Sequence, residues 1–121
     1  MSPIETIVKR YIESWNETDD ARRRAIIETL YAENARYTDP LVAATGWNAI
    51  DATVAGAQKQ FGGLVFSLAG KVDAHHDTAR FTWHLAQPDA AEPTVIGFDV
   101  AVVEHDRLRK VYGFLDKVPP M

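Results

Sequence analysis

The 121-residue chain predicts a single α+β domain, with three N-terminal helices packed on one face of a curved, mostly antiparallel sheet. Three observations predict it. Up to Phe61 the apolar residues recur at helical spacing, interrupted by one short alternating stretch. Beyond Gly62-Gly63 the period changes to alternation, in four successive runs. Turn residues separate those runs, which makes them an antiparallel meander.

The elements follow in order. The first helix carries Ile4, Ile7, Val8, Tyr11, Ile12 and Trp15 along one stripe through four turns. Ser2 is its expected cap, with Pro3 at the first helical position and Glu5 completing a capping box. A second helix starts near Thr18 or Asp19, runs to about Tyr31 and turns Ala25, Ile26 and Leu30 inward. Its Arg22-Arg23-Arg24 run reads as a solvated face. ARYTDP (35–40) is a short strand whose more apolar face holds Ala35, Tyr37 and, at its end, Asp39. LVAATG reads as a loop. A third helix covers roughly Asn48 to Phe61, with Ile50, Val54, Ala57 and Phe61 on one side, and Gly62-Gly63 ends it. LVFSLAGKVDAH, ARFTWHLA, TVIGFDVAVVEH and LRKVYGFLD are the four strands. Turns fall at His76-Asp77-Thr78, Gln87 to Pro93 and His105-Asp106-Arg107.

Composition excludes several classes of function. With 13 basic and 17 acidic side chains the net charge is −4, which argues against nucleic acid and gives no reason to invoke an anionic membrane. There is no cysteine, so disulfides, thiolate metal sites and a cysteine nucleophile drop out. The start, MSPIETIVKR, has no continuous apolar core of a signal peptide, and no apolar run approaches a membrane span. The default expectation is a cytoplasmic protein.

Three residues could carry chemistry. Asp99 is the one charged residue between Val95 and Val103, in a run apolar on both faces that reads as a buried central strand. A buried carboxyl must be paired, hydrogen-bonded or protonated. Neutrality at pH 7 requires a rise of more than about 3 units above ~3.9, costing about 4 kcal/mol, and full desolvation can supply it. The alternative is a carboxylate satisfied by backbone amides or by Arg80. Tyr11 lies on the buried stripe of helix 1, where a tyrosine is equally at home as core filler. Asp39 precedes Pro40, and Asp-Pro is also a common turn initiator. The histidines form no metal constellation: His75 and His76 would face opposite ways on a strand, and His75 with Asp77 lacks further ligands. His84 falls on the sheet face opposite Phe81, Trp83 and Leu85. Ser67 lacks a nucleophile elbow, and Gly62-Gly63 is a helix stop, not a phosphate loop.

LYAENARYTDP, then TGWNAI opening a helix, then GFDVAVVEHDRLRKVYGFLD, resemble the nuclear transport factor 2-like superfamily over nearly the whole chain. Within it the likeness is to the SnoaL-like and ketosteroid isomerase-like branch. The resemblance implies a cone of strongly curved sheet around three helices, an internal apolar pocket and, often, a homodimer. KRYIES is similar to the isomerase segment with the oxyanion-hole tyrosine, which falls on Tyr11. LYAENARYTDP matches the segment of the catalytic aspartate, which falls on Asp39. FDVAVV matches the strand of the protonated second acid, which falls on Asp99. Tyr31 corresponds to a pocket tyrosine, and Leu115 stands in place of a pocket-lining aromatic. Val54 replaces a tyrosine that supports the oxyanion hole.

That pattern implies a cofactor-free reaction in which Asp39 removes a proton α to a carbonyl while Tyr11 and a neutral Asp99 hold the enolate oxygen. Tyr37, Phe61, Phe81, Trp83 and Leu115, with Tyr31 and Val54, would line the pocket for a small hydrophobic substrate. Two other readings stand beside it: a non-catalytic binding module for a small apolar ligand, and a structural dimer joined through the outer sheet face at Arg80, Thr82 and His84.

Overall fold

In the computed structural model, which describes residues 3–120, the first apolar stripe becomes helix α1 (Pro3–Asn16), buried along Val8, Tyr11, Ile12 and Trp15. The expected cap, Ser2, lies outside the described residues. Helix α2 (Asp20–Leu30) is capped by Asp19, whose side chain accepts the Arg22 backbone N–H at 2.9 Å.

The inward face of α2 differs from the expected one. It consists of Arg23, Ile27 and Leu30, while Ala25 is exposed and Ile26 half-buried. The arginine run is therefore not a uniformly solvated face. Arg23 is only 4% exposed, and its guanidinium donates to Asp51 at 2.8 Å, Gln58 at 3.0 Å and Asp20 at 3.0 Å. A charge is tolerated in that position because its donors are matched. Gln58 in turn donates to the carbonyls of Trp15 and Glu17, so one cluster ties all three helices together.

Helix α2 stops one residue early. Tyr31 donates its backbone N–H to the Ile27 carbonyl, but its own backbone is extended, and it opens strand β1 (Tyr31–Thr38). LVAATG is also not wholly a loop. Its Ala43–Thr45 form β2, antiparallel to β1, and helix α3 (Gly46–Gln60) follows directly. The meander is β3 (Val65–His75), β4 (Thr78–Ala86), β5 (Val95–Glu104) and β6 (Arg107–Lys117). The sheet order is β2-β1-β6-β5-β4-β3, with β1 and β6 parallel and the other neighbours antiparallel.

The sheet curves around the helices, and bulges bend it. The β3–β4 register slips between Ala69 and Asp73, where Gly70 adopts φ +83°. The β5–β6 register slips on either side of Asp99, at Ile96/Gly97 and at Val102/Val103. The slip in β3 puts two extra residues on that strand and each slip in β6 one, which increases the local bend. Strand β5 buries Val95, Gly97, Asp99 and Ala101 on its inner face, whereas Ile96, Phe98, Val100 and Val102 are half-exposed. The strand apolar on both sides thus has one covered face. No helix among the described residues is long and apolar enough to cross a membrane.

Candidate active site

Asp99 sits at the middle of the inner face of β5, between Phe81 of β4 and Gly113 of β6. It is 2% exposed. Tyr11, in the third turn of α1, reaches it from across the core and donates its hydroxyl to Asp99 Oδ2 at 2.6 Å. Burial pushes the Asp99 carboxyl up to about 6, against the Tyr11 O–H and the Trp83 side chain, which favour its charged form; the Asp39 charge pushes it up further. Burial, then the neighbouring Asp99 charge, likewise raises Tyr11 well above the ordinary phenol range. Arg80 takes no part: it lies at the surface and pairs with Asp73 at 3.0 Å.

Asp39 follows β1, and its two carboxylate oxygens have different partners. Its Oδ1 accepts the backbone N–H of Leu41 at 2.8 Å and of Val42 at 3.0 Å, which closes the turn from β1 to β2. Its Oδ2 accepts the Tyr37 hydroxyl at 2.6 Å. Burial, then that bond, raises Tyr37 above its usual range. A carboxylate offers about four acceptor sites, so three donors leave one open. The two acids come together across Gly113. A β-carbon there would stand 3.1 Å from Asp99 Oδ1 and 3.2 Å from Asp39 Cβ, so only a residue without a side chain leaves the space between them clear.

Both acids and Tyr11 border a cavity of about 690 Å³ between helices and sheet, within the usual ~300–1,000 Å³ of small-molecule sites. Tyr37, Phe61, Trp83 and Leu115 line it, together with Trp15 and Phe66. Phe66 is fixed by a pair of bonds to Asn16 at the end of α1, one given and one received, and its ring packs 5.5 Å from Trp15 and 5.2 Å from Trp83. The largely exposed Leu41, Phe114 and Val118 also border the opening.

Three residues expected on the wall stand behind it. Phe81 is buried against Tyr11, ring centres 5.6 Å apart. Val54 is fully buried on the core side of α3 and is not part of the cavity lining. Tyr31 is also fully buried, its hydroxyl without a hydrogen-bond partner among the described residues; burial, then the Asp99 charge, raises it above the usual range. The histidine reading changes too. His76 takes φ +52° in the β3–β4 turn, which brings its Nδ1 to 3.3 Å from that of His75, so the two rings do not diverge.

Sequence reasoning missed Gly97, Gly113, Trp15 and Phe66. For the glycines a signal existed: a glycine within an apolar strand marks a close approach, and Gly97 shares the face of Asp99 two residues away. Phe66 gave none, because its place depends on bonds to Asn16, 50 residues away in sequence.

Residues 8–111 match the family of the SnoaL-like domain. The chain is 39% identical to a candidate isomerase of the SnoaL-like family from Agrobacterium tumefaciens strain C58, covering 96% of this chain and 99% of that one with a TM-score of 0.89. It also superposes on a candidate ketosteroid isomerase from Kribbella flavida, at 18% identity and a TM-score of 0.69, covering 96% of this chain and 81% of the other. A de novo designed protein with a curved β-sheet gives a TM-score of 0.74 at 10% identity, covering 96% and 88%. The latter two likenesses are of fold alone. No match is found among curated proteins.

Proposed function

The chain belongs to the SnoaL-like family, and from that premise we propose that it catalyses proton transfer next to a carbonyl in a small apolar substrate, as a cofactor-free isomerase or cyclase. The observation that carries the reading is the 2.6 Å Tyr11–Asp99 bond on the wall of an apolar cavity, with Asp39 across the Gly113 gap. Two groups that touch each other can both reach one ligand oxygen.

In this reading the free acceptor site of Asp39 takes a proton from the carbon α to the carbonyl. The C–H electron pair moves into the carbon framework, and the carbonyl π pair moves onto oxygen. Tyr11 donates to that oxygen, as does Asp99 once protonated. Asp39 then returns the proton to another carbon. An oxyanion donor of this kind lowers the barrier by about 2.7–4 kcal/mol, and a positioned base adds about 10²–10⁴ in rate. The apolar walls hold the body of the substrate and exclude water from the charges.

A second reading, a binding module without turnover, has its own observation: three donors on Asp39 also suffice to hold a turn. Deuterium exchange into a cyclic β,γ-unsaturated ketone separates the two. The catalytic reading expects acceleration by the protein and a loss of about 10²–10⁴ in Asp39→Asn. Equal exchange in both proteins leaves the binding module.

A further inference from the structure

Asp39 carries a side-chain bond that its turn does not need. The turn after β1 is closed without it, by the Leu41 and Val42 N–H groups on Oδ1 at 2.8 and 3.0 Å and by the Asp39 N–H on the Val42 carbonyl at 2.9 Å. The additional bond comes from Tyr37, whose hydroxyl donates to Oδ2 at 2.6 Å. Tyr37 lies two residues before Asp39 on β1, is only 4% exposed and packs its ring against Trp15, with centres 5.6 Å apart. Both Tyr37 and Asp39 border the cavity. From the other side the Gly113 backbone crowds Asp39, since a β-carbon there would fall 3.2 Å from Asp39 Cβ.

We infer that Tyr37 is the positioning residue of the base, fixing the Asp39 carboxylate so that one lone pair of Oδ2 takes the proton and returns it. The inference rests on the proposed reading of Asp39 as the base, and it assigns the reacting oxygen. Each carboxylate oxygen has two lone pairs. Both on Oδ1 are engaged by backbone N–H groups and one on Oδ2 by Tyr37, so the pair left over belongs to Oδ2. The backbone holds the carboxylate at one oxygen only, about which the other can pivot; Tyr37 supplies the second point and fixes its direction. When the ligand C–H bond breaks, its electron pair enters the carbon framework and the proton bonds to the spare pair of Oδ2. Asp39 is then a neutral acid. Its carbonyl oxygen, Oδ1, keeps both N–H bonds, and its hydroxyl oxygen, Oδ2, still accepts from Tyr37. The same three donors serve the base before and after the transfer, so none has to turn.

Tyr37→Phe keeps the ring and removes the hydroxyl. In deuterium exchange into a cyclic β,γ-unsaturated ketone the variant is expected to lose about 10–100-fold in kcat, the scale of a misplaced reacting group. Its KM is expected to stay within about twofold, because the apolar wall remains. A crystal structure of the variant is expected to show Oδ1 still on Leu41 and Val42 and Oδ2 displaced. A kcat equal to or above that of the wild type, a loss confined to KM, or a carboxylate that has not moved overturns the inference. The crystallographic reading needs no turnover. A displaced Oδ2 in a protein whose wild type does not accelerate exchange removes the catalytic reading, whereas an active wild type matched by Tyr37→Phe removes the role of Tyr37 alone.

Discussion

Asp99 is a carboxyl whose charged form is disfavoured by its burial. Folding raises it from 3.8 to about 6, so between those values the folded chain holds a proton that the unfolded chain has lost. The sign follows: stability is greatest below about pH 4 and declines as pH rises through 6, by about 3 kcal/mol in all from this residue. Asp99→Asn abolishes that titration and keeps a partner for the Tyr11 hydroxyl. The variant is predicted to exceed the wild type in urea-unfolding stability at pH 7.5 and to lose the advantage toward pH 4. A variant no more stable at pH 7.5 would contradict the account. A group that costs stability at neutral pH is one that the fold alone does not require. At this scale the sequence was informative about the acids, because a lone charge in VIGFDVAVV stands out against its neighbours. It was less so about how they are held: neither Tyr37 as the partner of Asp39 nor Gly113 as the gap between the acids follows from periodicity, since both depend on the register of strands far apart in sequence.

The elements were legible where one face is apolar and the period is clear, as in α1 and the four strands of the meander. They were misread where a polar group is buried or a strand is too short to show a period. The buried face of α2 eluded the pattern because Arg23, a residue type that is rarely fully buried, occupies the inward position and is satisfied by side chains of α2 and α3. Strand β2 is three residues of Ala and Thr, and only its pairing with β1 makes it a strand. The clamp has a measurable consequence. Arg23→Ala leaves Asp51 and Gln58 without their donor in a partly buried site, and is predicted to lower stability by about 2 kcal/mol, less than for a fully buried pair because Asp51 and Asp20 reach solvent. Chemical denaturation checks it; a loss below about 0.5 kcal/mol would make Arg23 a surface charge in effect.

For the whole molecule, the helices and the curved sheet followed from the change of period at Gly62-Gly63, and the cavity between them from the family resemblance. Which aromatic residues face that cavity did not follow, because alternation along β4 assigns Phe81 and Trp83 to one face without saying which is covered by Tyr11. The outer face of the sheet carries a second consequence. Phe98 lies opposite Phe114 and Val100 opposite Tyr112, and Phe114 and Tyr112 are substantially exposed, so this face is an apolar patch left open by the described residues. We propose that a second copy of the chain covers it; sedimentation at micromolar concentration is expected to give a dimer, and a monomer would reject the proposal.

The central claim is that Tyr11 and Asp99 form one oxygen-binding point facing Asp39. It is tested most directly by a crystal structure with a planar phenol such as 2-naphthol, whose oxygen and flat ring stand in for an enolate. The account predicts the phenol oxygen within about 2.5–3.0 Å of both Tyr11 Oη and an Asp99 carboxyl oxygen, with the ring carbons lying toward Asp39. A ligand whose oxygen lies elsewhere, with the Tyr11–Asp99 bond undisturbed, would contradict it.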